Sequence, residues 1–121
     1  MMTDKQKTGQ LGEEIAINHL EQQKFIILEK NWRYGHLEID IVARNDRFIV
    51  FCEVKTRSSS SFIAPETAVT WQKQRNLIKA ANNYVLTKKI IAEVRFDIIT
   101  IVKKGESYLL NHIENAFMPR W

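Results

Sequence analysis

The stretch that most constrains the fold is residues 35–57, GHLEIDIVARNDRFIVFCEVKTR. Two runs rich in β-branched and aromatic residues flank Asn45 and Asp46, two turn formers that tolerate positive φ. The pattern predicts a β-hairpin with a loop of two or four residues. Both loop lengths give one register, in which Ala43 lies opposite Phe48.

This register divides the hairpin into an apolar face and a charged face. The apolar face pairs Leu37 with Val54, Ile39 with Cys52, Ile41 with Val50 and Ala43 with Phe48. The other face sets Glu38 opposite Glu53 and Asp40 opposite Phe51, with Lys55 on the same side. Asp40 and Glu53 are then diagonal neighbours, about 7–8 Å apart at the backbone. Because like charges this close destabilise a sheet, we interpret the face as a site for a divalent cation.

Length and composition fit a single domain spanning residues 1–121. Hydrophobic residues make up 45% of the chain and charged residues 26%, which is ordinary for a globular protein. The net charge of +4 favours a polyanionic partner without requiring one. No apolar run approaches the ~20 residues of a membrane span, so we expect a cytoplasmic protein with no membrane contact. The single cysteine, Cys52, is expected in the core rather than as a nucleophile.

Upstream of the hairpin, the pattern predicts a polar tail, a helix and a strand. Residues 1–7 are polar and are expected to be a flexible tail. Apolar residues at spacings of three to five predict a helix over residues 8–24, with Thr8 as a possible N-cap. Gly9 and Gly12 weaken this helix, which suggests that another part of the chain approaches its backbone. Residues 25–34 read as a strand.

Downstream, the pattern predicts a loop, a second helix and two strands. Serines and a proline mark residues 56–67 as a loop, and Pro65 with Glu66 suits the first turn of the helix. Residues 93–103 alternate as a strand, and residues 107–113 are expected to form the last one. The order predicts an α/β fold, a mixed sheet with helices packed on it, whose third and fourth strands run parallel across the second helix.

The charged face has the residue types needed for phosphodiester hydrolysis. A hard cation such as Mg²⁺ takes oxygen ligands, which Asp40, Glu53 and the carbonyl of Val54 offer. Lys55 could orient or deprotonate the attacking water, or stabilise developing charge. The carboxylates would raise the pKa of Lys55 and desolvation would lower it, and the sequence leaves the balance open.

The same charged residues also fit a purely structural role. Glu53 and Lys55 could form an exposed ion pair, with Asp40 a solvated residue at a strand edge. The three histidines, His19, His36 and His112, have no metal-ligand spacing and read as surface residues. Near the start of the first helix, Glu13 and Glu14 could simply complement the helix dipole.

Taken as an ordered set, the motifs resemble a known family. An Asp, twelve intervening residues and then Glu-Val-Lys is similar to the signature of the PD-(D/E)xK restriction-endonuclease-like superfamily. The whole set more closely resembles the bacterial YraN-like family, which is similar to archaeal Holliday junction resolvases. Its motifs here are GxxGEExA (Gly9, Gly12, Glu13, Ala16), Asn31 and Arg33, Glu38-Ile39-Asp40, Glu53-Val54-Lys55-Thr56-Arg57, Lys73 and Arg75 with Leu77, Arg95-Phe96-Asp97, and His112-Ile113 with Ala116-Phe117. One departure is Leu37, where the family usually has Gly.

The resemblance implies an αβββαβ nuclease core and a set of site residues. Asp40 and Glu53 would be metal ligands, Lys55 the catalytic lysine, and Glu13, rather than Glu14, a further acidic residue at the same site. Glu38 would support the ligands from the same strand. Three basic residues would contact nucleic acid: Arg57, Lys73 and Arg75. The cofactor would be Mg²⁺, for which Mn²⁺ can substitute, and the partner double-stranded or branched DNA, cut by a homodimer.

Three hypotheses follow for function. The first is a Mg²⁺-dependent endonuclease acting on DNA, including branched DNA such as Holliday junctions. The second is a nucleic-acid-binding module that keeps the fold but does not cut, whose affinity would persist without metal. The third is a protein-interaction domain, which would have no affinity for nucleic acid at low salt.

Overall fold

The helices and strands are those of a computed structural model, which describes residues 1–58 and 69–119. This part of the chain contains two helices and five strands. They are α1 (Asp4–Gln22), β1 (Ile26–Tyr34), β2 (Leu37–Arg44), β3 (Phe48–Ser58), α2 (Trp71–Lys88), β4 (Glu93–Lys104) and β5 (Ser107–Phe117).

The strands form one mixed sheet in the order β1-β2-β3-β4-β5. Neighbouring strands are antiparallel except β3 and β4, which run parallel over Phe48–Ser58 and Glu93–Lys103. Parallel neighbours need a crossover connection, and α2 lies in it. The predicted fold is therefore confirmed: an αβββαβ core of the restriction-endonuclease-like kind, with β5 added at one edge of the sheet.

Helix α1 starts earlier than the sequence predicted. Its N-cap is Thr3, whose hydroxyl accepts the Gln6 N–H, while the Gln6 side chain accepts the Thr3 N–H. This reciprocal capping box satisfies two N–H groups that would otherwise be unpaired. The tail predicted for residues 1–7 is wrong in its second half, because residues 4–7 are helical, and Thr8 lies inside the helix.

Helix α2 begins after Thr70, whose hydroxyl accepts the Lys73 N–H. The helix start predicted at Pro65 and Glu66 lies outside the described residues, as does most of the loop predicted over residues 56–67. The first three residues of that loop, 56–58, belong instead to β3. Continued pairing with β4 explains the longer strand, since Arg57 lies opposite Val102.

The hairpin register differs from the predicted one by two residues. Arg44 lies opposite Ile49, and Val42, not Asp40, lies opposite Phe51. The reason is the turn, where the Asn45 side chain accepts the N–H groups of the residues two and three positions further on. The Asn45 N–H also donates to the Phe48 carbonyl, so the two-residue loop is Asp46 and Arg47 rather than the predicted Asn45 and Asp46. Because side chains alternate between faces along a strand, a register shift of two residues changes the pairs but not the face of each residue near the turn.

The predicted apolar face is not continuous along β2. Ile41 and Ala43 pack in the cluster that contains α1, whereas Leu37 and Ile39 pack in the cluster that contains α2. Because α1 and α2 cover opposite faces of the sheet, the side chains of β2 change face at Asp40. Leu37 is buried, with 5% of its surface exposed, so the prediction of a core residue there is confirmed even though its face was wrong.

Two apolar clusters hold the helices on the sheet. The first joins α2 to Val42, Ile49 and Phe51, and the second joins Ala16 and Leu20 of α1 to the other face. The second cluster includes the fully buried thiol of Cys52, whose pKa is raised chiefly by burial. The prediction that this cysteine is a core residue is confirmed.

Helix α1 lies close against the sheet at Gly12. A Cβ added there would overlap Thr56 Oγ1 and lie 3.1 Å from Thr56 Cβ, whereas a Cβ added at Gly9 meets nothing within 4 Å. Contact was therefore correctly predicted for Gly12, but not for Gly9. Gly12 lets the helix lie against β3, one residue before Glu13.

We predict opposite effects for alanine at these two glycines. Gly12→Ala should lower the free energy of unfolding by about 1–3 kcal/mol, because the new methyl group overlaps Thr56. Gly9→Ala should raise it by about 0.5–1 kcal/mol, because alanine favours the helix and meets no neighbour. Urea unfolding followed by circular dichroism measures both. A Gly12→Ala protein as stable as the wild type would contradict the close approach.

Candidate functional site

A groove of about 980 Å³ runs between the start of α1 and the end of β3. The strand change at Asp40 opens it, since β2 and β3 are paired only from Ile41 and Cys52 toward the turn. Its wall includes acidic and basic side chains at one end of the sheet, among them Glu13, Glu38, Asp40, Lys55 and Arg57. Glu53 lies in a smaller adjoining groove of about 320 Å³, which Asp40 also lines.

Asp40 lies at the junction of the two grooves. Its Oδ2 accepts the Val54 N–H at 2.9 Å, which fixes the carboxylate beside the backbone of β3. Burial raises the pKa of Asp40 to about 7, and the charges of Glu53 and Glu13 add to the rise against the lowering effect of the Val54 hydrogen bond. The Asp40 carboxylate is therefore half-buried and surrounded by other negative charges.

Glu53 is buried, with 10% of its side chain exposed, and two lysines neutralise it. Lys73 Nζ lies 2.7 Å from Glu53 Oε1, and Lys55 Nζ lies 3.6 Å from the same oxygen. The ion pair considered for Glu53 and Lys55 is present, but it is largely buried rather than exposed, because only 18% of the Lys55 side chain and 10% of the Glu53 side chain are exposed. Lys73, which sequence reasoning assigned only to nucleic-acid contact, is a direct partner of this carboxylate.

The pKa of Lys55, whose direction of shift the sequence left open, is lowered in the structure. Burial lowers the pKa of Lys55 from its usual value, and the ammonium group of Lys73 lowers it further, against the opposing charge of Glu53. A lysine with a lowered pKa gives up or shares a proton more readily than an exposed one. This property suits a group that orients or deprotonates a water molecule.

Glu13 reaches the site from α1, as the resemblance implied, and its partner is Asn31. With its amide nitrogen toward the carboxylates, Asn31 donates to Glu13 Oε1 at 2.7 Å and to Glu38 Oε1 at 3.3 Å. Asn31 has a positive φ of 51°, which asparagine tolerates better than most residues. Burial raises the pKa of Glu13, and the Asn31 hydrogen bond partly offsets the rise. Glu14 does not line the main groove.

Two predicted site residues differ from expectation. Glu38 lines both grooves, but the register shift removes it from the position opposite Glu53. Its carboxylate pairs with Arg33 at 2.9 Å and lies close to Glu13. Arg75 lines a separate surface groove with Trp71 and residues of the outer face of α2. The structure therefore brings Lys73 and Arg57 to the site, but not Arg75.

The donor set fits a hard cation that keeps open coordination positions. In residues 1–58 and 69–119, no three side chains of His, Cys, Asp or Glu form a complete metal-binding group by themselves. A Mg²⁺ ion at Asp40 and Glu53 would need oxygens from the backbone, water and substrate as well, which is usual for this ion. The raised pKa of Asp40 indicates that a positive charge beside it would stabilise its ionised form.

A second buried polar cluster lies on the α1 side of β4. Asp97 is fully buried, pairs with Arg95 through two hydrogen bonds of 2.9 Å, and accepts a bond of 2.7 Å from His112. The other ring nitrogen of His112 lies 2.9 Å from His19 of α1. The surface interpretation of these two histidines was wrong. Nothing local in the sequence could have paired residues 93 positions apart.

Comparison with known proteins identifies relatives along nearly the whole chain. The family model described as "Uncharacterised protein family UPF0102" matches residues 12–101. A UPF0102 protein of Bacteroides fragilis is 42% identical over 118 residues, covering 98% of each chain. Another, from Flavobacterium johnsoniae, is 42% identical over 120 residues, covering 96% of this chain and 98% of its own. A third, from Porphyromonas gingivalis, is 43% identical over 118 residues, covering 96% and 87%.

Neither of the two helices in residues 1–58 and 69–119 has the length and hydropathy of a membrane span.

Proposed function

Because the chain belongs to the UPF0102 family, the YraN-like family that its motifs resemble, we propose that it is a metal-dependent DNA endonuclease of the PD-(D/E)xK superfamily. The observation that carries the proposal is the meeting of Asp40, Glu53 and Lys55 where β2 separates from β3. A buried carboxylate, a half-buried one and a lysine of lowered pKa at the edge of an open groove are the groups that phosphodiester hydrolysis needs. The site would operate in the bacterial cytoplasm.

Each residue has a role that follows from its position. Asp40 and Glu53 would hold Mg²⁺ or Mn²⁺, with the Val54 backbone beside them. The bound ion supplies Lewis-acid activation of the phosphate and lowers the pKa of water. Lys55 would orient the attacking water and stabilise charge on the phosphate oxygens. Glu13 would hold further water at the α1 side of the site, in the orientation that Asn31 gives it.

The basic side chains of the groove also favour the binding of a polyanionic substrate. Arg57 and Lys55 line it together with Lys5 from the first turns of α1. A phosphate backbone along this wall would be neutralised by side chains on both sides of the carboxylates. On the resolvase likeness we include branched DNA among the substrates, cut by a homodimer, because symmetric cleavage of a junction needs two active centres.

The test is cleavage of labelled linear, flapped and four-way-junction DNA in Mg²⁺, Mn²⁺ or EDTA. We expect cleavage with either metal, none in EDTA, and a loss of at least about 100-fold in Asp40→Asn, because this carboxylate is a metal ligand. Cleavage that survives Asp40→Asn would refute the assigned site. DNA binding without cleavage, unaffected by EDTA, would favour the non-catalytic binding module.

A calorimetric titration of Mg²⁺ without DNA gives an independent result. The proposed endonuclease should bind Mg²⁺ at a site that Glu53→Gln abolishes, whereas a simple DNA-binding module need not.

A further inference from the structure

Two lysines share one oxygen of a buried carboxylate at the proposed metal site. Lys73 reaches Glu53 Oε1 from α2, and Lys55 approaches the same atom from β3, two residues along the strand. The shorter contact, 2.7 Å, is the one from Lys73. A metal ion coordinated by this oxygen would face an ammonium group at hydrogen-bond distance from its ligand, and the two cations would repel each other.

The position of Lys73 in its helix is electrostatically unfavourable. It is the third residue of α2, held there by the bond from its N–H to the Thr70 hydroxyl, and the first turn contains no acidic residue. A helix N-terminus carries partial positive charge and favours an acidic residue at this position. The ion pair with Glu53 offsets this cost. If Glu53 is taken by another cation, Lys73 needs a different anion, and a phosphate at the helix N-terminus would supply it.

Lys73 is also the lysine that is free to move. Its side chain is 49% exposed, against 18% for Lys55. It lines the smaller groove with Glu53 and Asp40, at the mouth of the site. A long, half-exposed ammonium group can therefore turn from the carboxylate to a ligand in the groove without displacing the backbone.

We propose that Lys73 is a tethered cation, a positioning residue that neutralises Glu53 in the metal-free protein and transfers to a substrate phosphate when Glu53 coordinates a divalent ion. This inference rests on the proposed function. Lys73 would hold the buried carboxylate of Glu53 in place before metal binds. The exchange would also weaken metal binding until a phosphate is present to receive the ammonium group, so metal and DNA would bind cooperatively.

The test is calorimetric titration of Mg²⁺ at pH 8 without DNA, on the wild type and three variants of α2. Lys73→Gln should bind Mg²⁺ about fivefold more tightly, because the competing charge is gone. Lys73→Arg, which keeps the charge, should match the wild type. Lys79→Gln should also match it, since this exposed lysine lies in a different groove.

The outcomes distinguish this inference from the proposed function. If Glu53→Gln abolishes Mg²⁺ binding but Lys73→Gln leaves the affinity unchanged or weaker, the tethered cation is refuted and the metal site stands. If no variant and no wild-type protein binds Mg²⁺, both ideas are refuted. Thermal unfolding of each variant shows whether the altered protein is folded.

A second measurement tests whether Lys73 contacts a DNA phosphate when a metal ion is bound. Ca²⁺ is used because it binds to oxygen ligands. In Ca²⁺, the slope of log DNA affinity against log salt concentration should be smaller by about one unit in Lys73→Gln than in the wild type. In EDTA the slopes of the two proteins should agree, because Lys73 stays on Glu53. An equal loss of slope with and without Ca²⁺ would overturn the exchange.

Discussion

Replacing Lys55 by methionine is expected to lower the rate of metal-dependent DNA cleavage by about 10²–10⁴-fold. Methionine retains most of the apolar stem of this largely buried side chain, so the fold should be preserved, while the ammonium group beside Glu53 is removed. The loss should appear in the rate of the chemical step under single-turnover conditions. Mg²⁺ affinity should not fall, because Lys55 is not a ligand.

The matched control is Lys24→Met, at an exposed lysine just after α1, whereas the groove lies at the opposite end of this helix. It removes the same charge away from the groove and should leave cleavage within about twofold of the wild type. If Lys55→Met still cuts at the wild-type rate, the assignment of Lys55 as the catalytic lysine is wrong. A loss of DNA binding with an unchanged chemical step would make Lys55 a binding residue instead.

Replacing Asp97 by asparagine is expected to lower the free energy of unfolding by about 3–5 kcal/mol. The carboxylate is fully buried and takes two bonds from Arg95, one from His112 and one from the Asn115 N–H. An amide keeps the shape but leaves the buried guanidinium with its charge largely uncompensated. Urea unfolding measures the loss, and Asp46→Asn, in the exposed hairpin loop, should change stability by less than about 0.5 kcal/mol.

The same substitution should change how stability depends on pH. Burial alone would raise the pKa of Asp97. The hydrogen bonds from His112 and Arg95 outweigh burial and hold this pKa below its usual value of 3.8. Stability from a lowered pKa is fully present above the unfolded value and is lost as pH falls through the folded one. The wild type should therefore lose stability below about pH 4 more steeply than Asp97→Asn. Equal acid sensitivity of the two proteins would contradict the buried pairing.

This cluster joins α1 to β5, and α1 also carries the site residue Glu13. His19 lies on α1, the helix that carries Glu13, and it bonds to His112 of β5. Burial lowers the pKa of His19, with a further contribution from the charge of His112. Neutral His19 is therefore favoured in the folded protein, and the contact between α1 and β5 should weaken as pH falls below about 6.5.

Local pattern was sufficient to predict most of the fold. Runs of β-branched and aromatic residues between turn formers identified β2, β3 and β4. The centres of β3 and β4 are buried on both faces, because helices cover both sides of the sheet. The spacing of Leu20 and Ala16 identified α1. The errors lie where side chains alter the backbone pattern: the Thr3 capping box extends α1, and the Asn45 turn shifts the hairpin register by two residues.

The opening hairpin shows what the sequence by itself determined and what only the tertiary structure decided. Its composition required two apolar strands with Asp40, Glu53 and Lys55 near one end, because the residue types and their spacing are local properties. The face that each side chain occupies depended on where β2 separates from β3. Contacts with distant segments were decided by packing alone: Lys73 on Glu53, Asn31 on Glu13, and Thr56 on Gly12. Such pairs depend on how helices lie against a sheet, which no local spacing encodes.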